Sequence, residues 1–344
     1  MGIIDSWVEK GRNLDSVAVQ LRFADPFDEN LLVRILSKAI EIEDTLTISN
    51  SIAAADRQFE NNPGTLIDHV LMPAVSFMAQ RNETSWHRQI LGVKPKIIEA
   101  LNKEQSKIIL DALVQVPRLQ STCEFIVSVV TENWPEVGLK YLEGRRNLSR
   151  DKNKPELYDA IPYKPPYLGA ALSKAPKPLF KHLWKWFKES PSIFQFEGAT
   201  LLESAFQGYP DVARKHLESW IERDVEFVIA CLHGFEGIEA IYPTVKKIVE
   251  HLPTQSPLLR AVDLALDSSG TVYGDFGFRD LYSLRIDLLS TWLNDPSPKI
   301  QAFAKHRAEN LKKSVIAETR RVEAEIAALK LEFGESLGDD NAPP

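Results

Sequence analysis

Apolar residues recur along this chain at intervals of three and four. Leu31, Leu32, Ile35, Leu36 and Ile40 fall on one helical face, as do Leu66, Val70, Leu71, Val75 and Phe77. Ile108, Ile109, Ala112, Leu113 and Val116 repeat the pattern. It continues through Val212, Leu217, Trp220 and Ile221, through Ile238, Ile241, Val245, Ile248 and Val249, and through Leu258, Val262, Leu264 and Leu266. Each stripe predicts an amphipathic helix. The best strand candidate, Phe125 to Val130, runs into helical flanks, and no alternating run is bounded by hairpin turns. Pro63-Gly64, Pro117, Pro135, Gly208 to Pro210, Gly234, Gly237, Pro253, Pro257 and Asp295-Pro296 separate helices of roughly ten to eighteen residues. The expected class is all-α. At 344 residues a stack of antiparallel helix pairs is favoured over one bundle, because a single core stops growing at about this size.

The clearest repeat spans residues 279 to 313. Leu288, Leu289 and Leu293 end a first helix and Asp295-Pro296 makes the turn. Ser297 caps a second helix that has Pro298 at its first position. Ile300, Ala304, Ala308 and Leu311 form the buried stripe of that helix, the alanines allowing close approach to its partner. This stretch resembles the HEAT-repeat family. The resemblance implies a HEAT-like helical-repeat solenoid of antiparallel helix pairs with a long C-terminal helix. That last helix is expected from Pro298 to about Phe333. Val315, Val322 and Leu329, with Thr319, Ile326 and Phe333, mark two turns of a heptad seam along it. The same region, with Gly270 to Phe278 before it, is similar to C-terminal helical regions of large bacterial signalling and defence proteins, which implies a context rather than an activity.

The expected organisation has N-terminal helical repeats over 1–143 and a basic, proline-rich insertion over 144–178. HEAT-like repeats follow over 179–313, then an extension of the last helix over 314–333 and a disordered acidic tail over 334–344. The insertion holds six of the 21 prolines and reads as an extended, partly ordered loop.

Net charge is −7, so no global basic field draws the chain to nucleic acid. Cys123 and Cys231, the only cysteines, sit in apolar runs and read as buried free thiols of a reducing compartment. No apolar run approaches the roughly 18 residues a bilayer requires, and no basic-then-apolar leader opens the chain. A cytoplasmic protein without membrane contact is expected. Phosphate-binding loops, zinc-protease spacing, nucleophile elbows and kinase signatures are absent. The seven histidines show no ligand spacing and suggest surface or capping roles. Gly274-Asp-Phe-Gly277 reads as a loop with unusual glycine angles, anchored by Phe276 and Phe278. No catalytic residue, cofactor or metal is expected.

One segment departs from the acidic background. Residues 140 to 189 hold twelve Lys or Arg against five Asp or Glu, a local charge of +7 that leaves −14 for the rest. The candidate binding residues are Arg145, Arg146, Arg150, Lys152, Lys154, Lys164, Lys177, Lys181, Lys185, Lys188 and the flanking Trp186. Leu179, Phe180, Leu183 and Phe187 form the core-facing stripe opposite the lysines. A basic face with aromatics suits an acidic protein surface. It also suits phosphates and stacked bases, or is a solvated face balancing the acidic body. The leading reading is a non-catalytic protein-binding scaffold or regulatory module of bacterial defence type. The alternative is a nucleic-acid-binding HEAT-like protein similar to DNA glycosylases, acting through residues 140–188.

Overall fold

A computed structural model describes residues 2–60, 63, 65–119, 121–150, 158–235, 239–267 and 272–333. Gly64, Lys152, Lys154, Gly237, Ile238, Gly270 and the 334–344 tail lie outside the described residues. The protein is all-α, with no strand among the described residues. It divides into two compact units, Met1–Phe206 and Gln207–Pro344.

The first unit contains α1 (Ile3–Lys10), α2 (Leu14–Leu21), α3 (Glu29–Glu41), α4 (Thr45–Gln58), α5 (Met72–Gln80) and α6 (Lys96–Glu99). It continues with α7 (Lys103–Leu113), α8 (Ser121–Asn133), α9 (Pro135–Ser149), α10 (Pro166–Ser173), α11 (Pro176–Glu189) and α12 (Pro191–Ala205). Four of these helices start on proline, where the missing N–H has no partner to lose. Helices pack on their sequence neighbour, as α3 on α4 and α8 on α9, and on the helix two places along, as α5 on α7 and α8 on α10.

The polar links follow the same period. Thr65 donates to Glu29, Leu91 N to Asp56, Gln105 to Asp68, Asn133 to the Glu99 carbonyl and Trp134 to the Leu101 carbonyl, at sequence separations of 33 to 37.

Several of these links replace local caps. Gln58 donates from Nε2 to the carbonyls of Leu21, Arg22 and Ala24, closing the end of α2. The buried Glu124 of α8 accepts from Tyr167 N at 2.8 Å and Leu168 N at 3.1 Å, at the first turn of α10. The two helices of the α10–α12 pair touch at Gly169, where a Cβ would come within 2.4 Å of the Ser204 carbonyl oxygen. The expected extended loop is therefore corrected over its described residues. Residues 144–149 are the last turns of α9 and 166–173 are helix α10, because Pro166 opens a helix whose donors Glu124 satisfies. The strand candidate Phe125 to Val130 lies inside α8.

The second unit holds α13 (Asp211–Glu218), α14 (Ile221–Leu232), α15 (Tyr242–His251), α16 (Leu258–Asp267), α17 (Gly277–Ser290) and α18 (Pro298–Phe333). Helix α14 breaks at Asp224, whose carboxylate accepts from Phe227 N and restarts the helix. Ile300, Ala304, Ala308 and Leu311 are all buried, the apolar stripe read from their spacing, whereas Leu293 is exposed. Asp295 accepts from Ser297 N at 2.9 Å, which makes the turn into α18. Gly274 adopts φ +84°, the left-handed conformation expected of that loop, but Phe278 is exposed rather than anchored. Polar links here include Tyr209 to Thr244 (separation 35) and Lys247 to Glu218 (separation 29). Arg307 pairs with Asp263 and with Asp267, the latter at 2.7 Å. Both cysteines are buried free thiols, and desolvation pushes Cys123 up to about 12. No helix among the described residues is long and apolar enough to cross a membrane.

Candidate functional site

Helix α11 carries the basic face. Pro176 and Pro178 occupy its first turn, where proline is tolerated. Leu179, Phe180, Leu183, Trp186 and Phe187 are buried and hold the helix against its neighbours. Lys177, Lys181, Lys185 and Lys188 stay exposed. Steps of four, four and three residues keep them on one side, about one turn apart at roughly 4.5–6 Å of rise. Lys177, Lys181 and Lys185 make no ion pair among the described residues, and the only acid on α11 is Glu189 at its end. Glu189 faces Arg146 at 3.4 Å and Arg150 at 3.9 Å.

The other candidates separate into distinct groups. Arg150 is exposed at the end of α9. Lys164 pairs with Glu203 at 2.6 Å, and Lys174 with Glu132. Arg145, Arg146 and Trp186 are corrected: they are buried, at 0%, 1% and 1% exposure, and touch no surface a partner could reach. Arg145 donates to the carbonyls of Val114, Val116, Pro117, Asp159 and Ala160, with 2.6 Å to Val116 and 2.9 Å to Ala160. It lies 4.6 Å over the Tyr158 ring. Arg146 donates to Glu197 at 2.6 Å and lies 4.1 Å over the Trp186 ring. Consecutive residues on a helix diverge by about 100°. The two arginines therefore enter different parts of the interior, one at the end of α7 and one between α11 and α12.

His182 departs from the expected surface role. Its ring meets Trp186 edge-on at 5.1 Å, and burial among the Lys185 and Arg146 charges pushes its pKa down to about 4. His182 is half-buried, whereas His87 is fully buried, with Nδ1 2.5 Å from the Thr84 carbonyl oxygen. The charge of the α11 face is therefore carried by lysines alone at neutral pH.

Two groups of this unit oppose each other in acid. His182, with its depressed pKa, stabilises the fold above about 6.5 and loses that contribution as pH falls toward about 4. Asp56, desolvated at its bond to Leu91 N, has a pKa raised from 3.8 to about 6. Its contribution is present below 3.8 and is lost as pH rises through about 6. Asp56→Asn, which keeps an acceptor for Leu91 N, removes only the second. Its melting temperature should fall more steeply than that of the wild type between pH 6 and pH 4, and thermal melts across that window measure the difference. Parallel curves would show that Asp56 titrates normally.

Compared with protein-family models, curated proteins and solved structures, the chain matches none of them.

Proposed function

We propose that the chain is a non-catalytic, protein-binding scaffold, built from HEAT-like stacked helical hairpins, whose lysine face on α11 holds an acidic surface of a protein partner. The observation that carries this reading is the row Lys177, Lys181 and Lys185, exposed and without ion pairs among the described residues, in a chain of net charge −7. Four other basic residues of the segment are spent internally: Arg145 and Arg146 in the interior, Lys164 and Lys174 on carboxylates. Lys177 sits in the first turn of α11, at the positive end of the helix dipole, where a cation costs about 0.3–1 kcal/mol. A cation at a costly position, with no counter-charge among the described residues, suits an anionic partner. Support for stacked hairpins comes from the polar links, which recur about one repeat apart, as nearest-neighbour stacking requires.

The test is Lys177→Glu/Lys181→Glu/Lys185→Glu in the full chain. All three positions are exposed and Glu at 177 suits the helix start, so the variant should melt like the wild type. A protein captured by the wild type after nuclease treatment should be lost from the variant and released from the wild type by high salt. If nuclease releases everything and nucleic acid is recovered, the face reads phosphates and the alternative takes its place.

A further inference from the structure

The second unit carries a cleft of about 530 Å³ between α15, α16 and α18, in the size range of small-molecule sites. Its apolar wall is formed by Val249, Leu259 and Phe303. Its charged residues are Arg260, Asp263 and Lys299, and His306 adds an imidazole. Asp263 is held by Arg307, a guanidinium it shares with Asp267. Lys299 donates to the Glu250 carbonyl at 3.2 Å and the Leu252 carbonyl at 3.0 Å, capping α15, and an ammonium has a third N–H to give. Asn310 Nδ2 lies 3.2 Å from His306 Nε2; with the amide donating, the ring proton sits on Nδ1. Arg260 is exposed and has no partner among the described residues. The cleft thus presents hydrogen-bond donors and an unpaired guanidinium beside an apolar wall, with its one carboxylate occupied.

We propose that this cleft binds a small amphipathic carboxylate. The hydrocarbon or aromatic body lies on Val249, Leu259 and Phe303, and the acid is held by Arg260 with Lys299 or His306 at the rim. A guanidinium fork matches the two oxygens of a carboxylate. An apolar wall with a few fixed polar groups is the usual construction of such sites. The proposal does not depend on the lysine face of α11, which belongs to the other unit.

The experiment is calorimetric titration of the full chain with naphthalene-2-carboxylate and, separately, with the neutral 2-naphthylmethanol. Saturable one-to-one binding of the acid is expected, with the alcohol at least about tenfold weaker. Arg260→Gln should weaken binding of the acid at least about tenfold. Ala302→Trp, at an exposed position lining the cleft, should abolish it by filling the space while the thermal melt stays at the wild-type value. The proposal is overturned by absence of saturable binding, by equal affinity for acid and alcohol, or by wild-type affinity in either variant.

Discussion

Arg145→Ala should destabilise the first unit by about 4 kcal/mol, read as a shift of its urea midpoint. The side chain is fully buried and supplies donors to five carbonyls. Val114, Val116 and Pro117 follow the last turn of α7, where carbonyls have no helical partner. Asp159 and Ala160 belong to the segment that leads into α10, and Asp159 N also donates to Pro117 O at 2.8 Å. Alanine would leave most of these carbonyls buried without donors, at about 1–3 kcal/mol each before relaxation, and would open a cavity. Arg145→Lys should recover only part of the loss, because one ammonium cannot reach acceptors spread around a planar fork. A loss below about 1 kcal/mol for Arg145→Ala would show that the carbonyls find other donors.

Arg146→Glu should be at least as damaging, costing about 5 kcal/mol or preventing folding of the first unit. The native guanidinium bonds Glu197, faces Glu189 and covers the Trp186 ring. Reversal would put three carboxylates together in a partly buried site. Arg146→Met alone should cost about 3 kcal/mol, since Glu197 is left without its counter-charge. Adding Glu197→Leu should restore stability to within about 1 kcal/mol of wild type, because a buried pair replaced by apolar groups is often neutral. Denaturant melts of the four-member cycle measure the coupling. A double variant as unstable as Arg146→Met alone would mean that the loss comes from the Trp186 contact. Charge reversal at Arg145 or Arg146 therefore tests folding, and binding is tested at Lys177, Lys181 and Lys185.

The helices were largely legible in the sequence. Stripes at intervals of three and four mark α3, α7 and α15, and the span of α18 from Pro298 to Phe333 is the one expected from its proline start and unbroken periodicity. The buried stripe Ile300, Ala304, Ala308 and Leu311 and the Asp295-Pro296 turn were legible for the same local reason. So was the split of α11 into an apolar and a lysine side, since faces follow from spacing alone.

Tertiary structure alone decided which charges turn inward. A run containing Arg145 and Arg146 reads as surface, because an isolated charge is costly to bury. Their burial depends on acceptors that sit 14 to 31 residues from Arg145 and 43 to 51 from Arg146. Helix α10 was hidden in a proline-rich segment for the same reason. The carboxylate that satisfies its first N–H groups is Glu124, 43 residues earlier. Periodicity depends on near neighbours and therefore places helices. Satisfaction of a buried donor depends on whatever the fold brings beside it, and only the packed chain determines that.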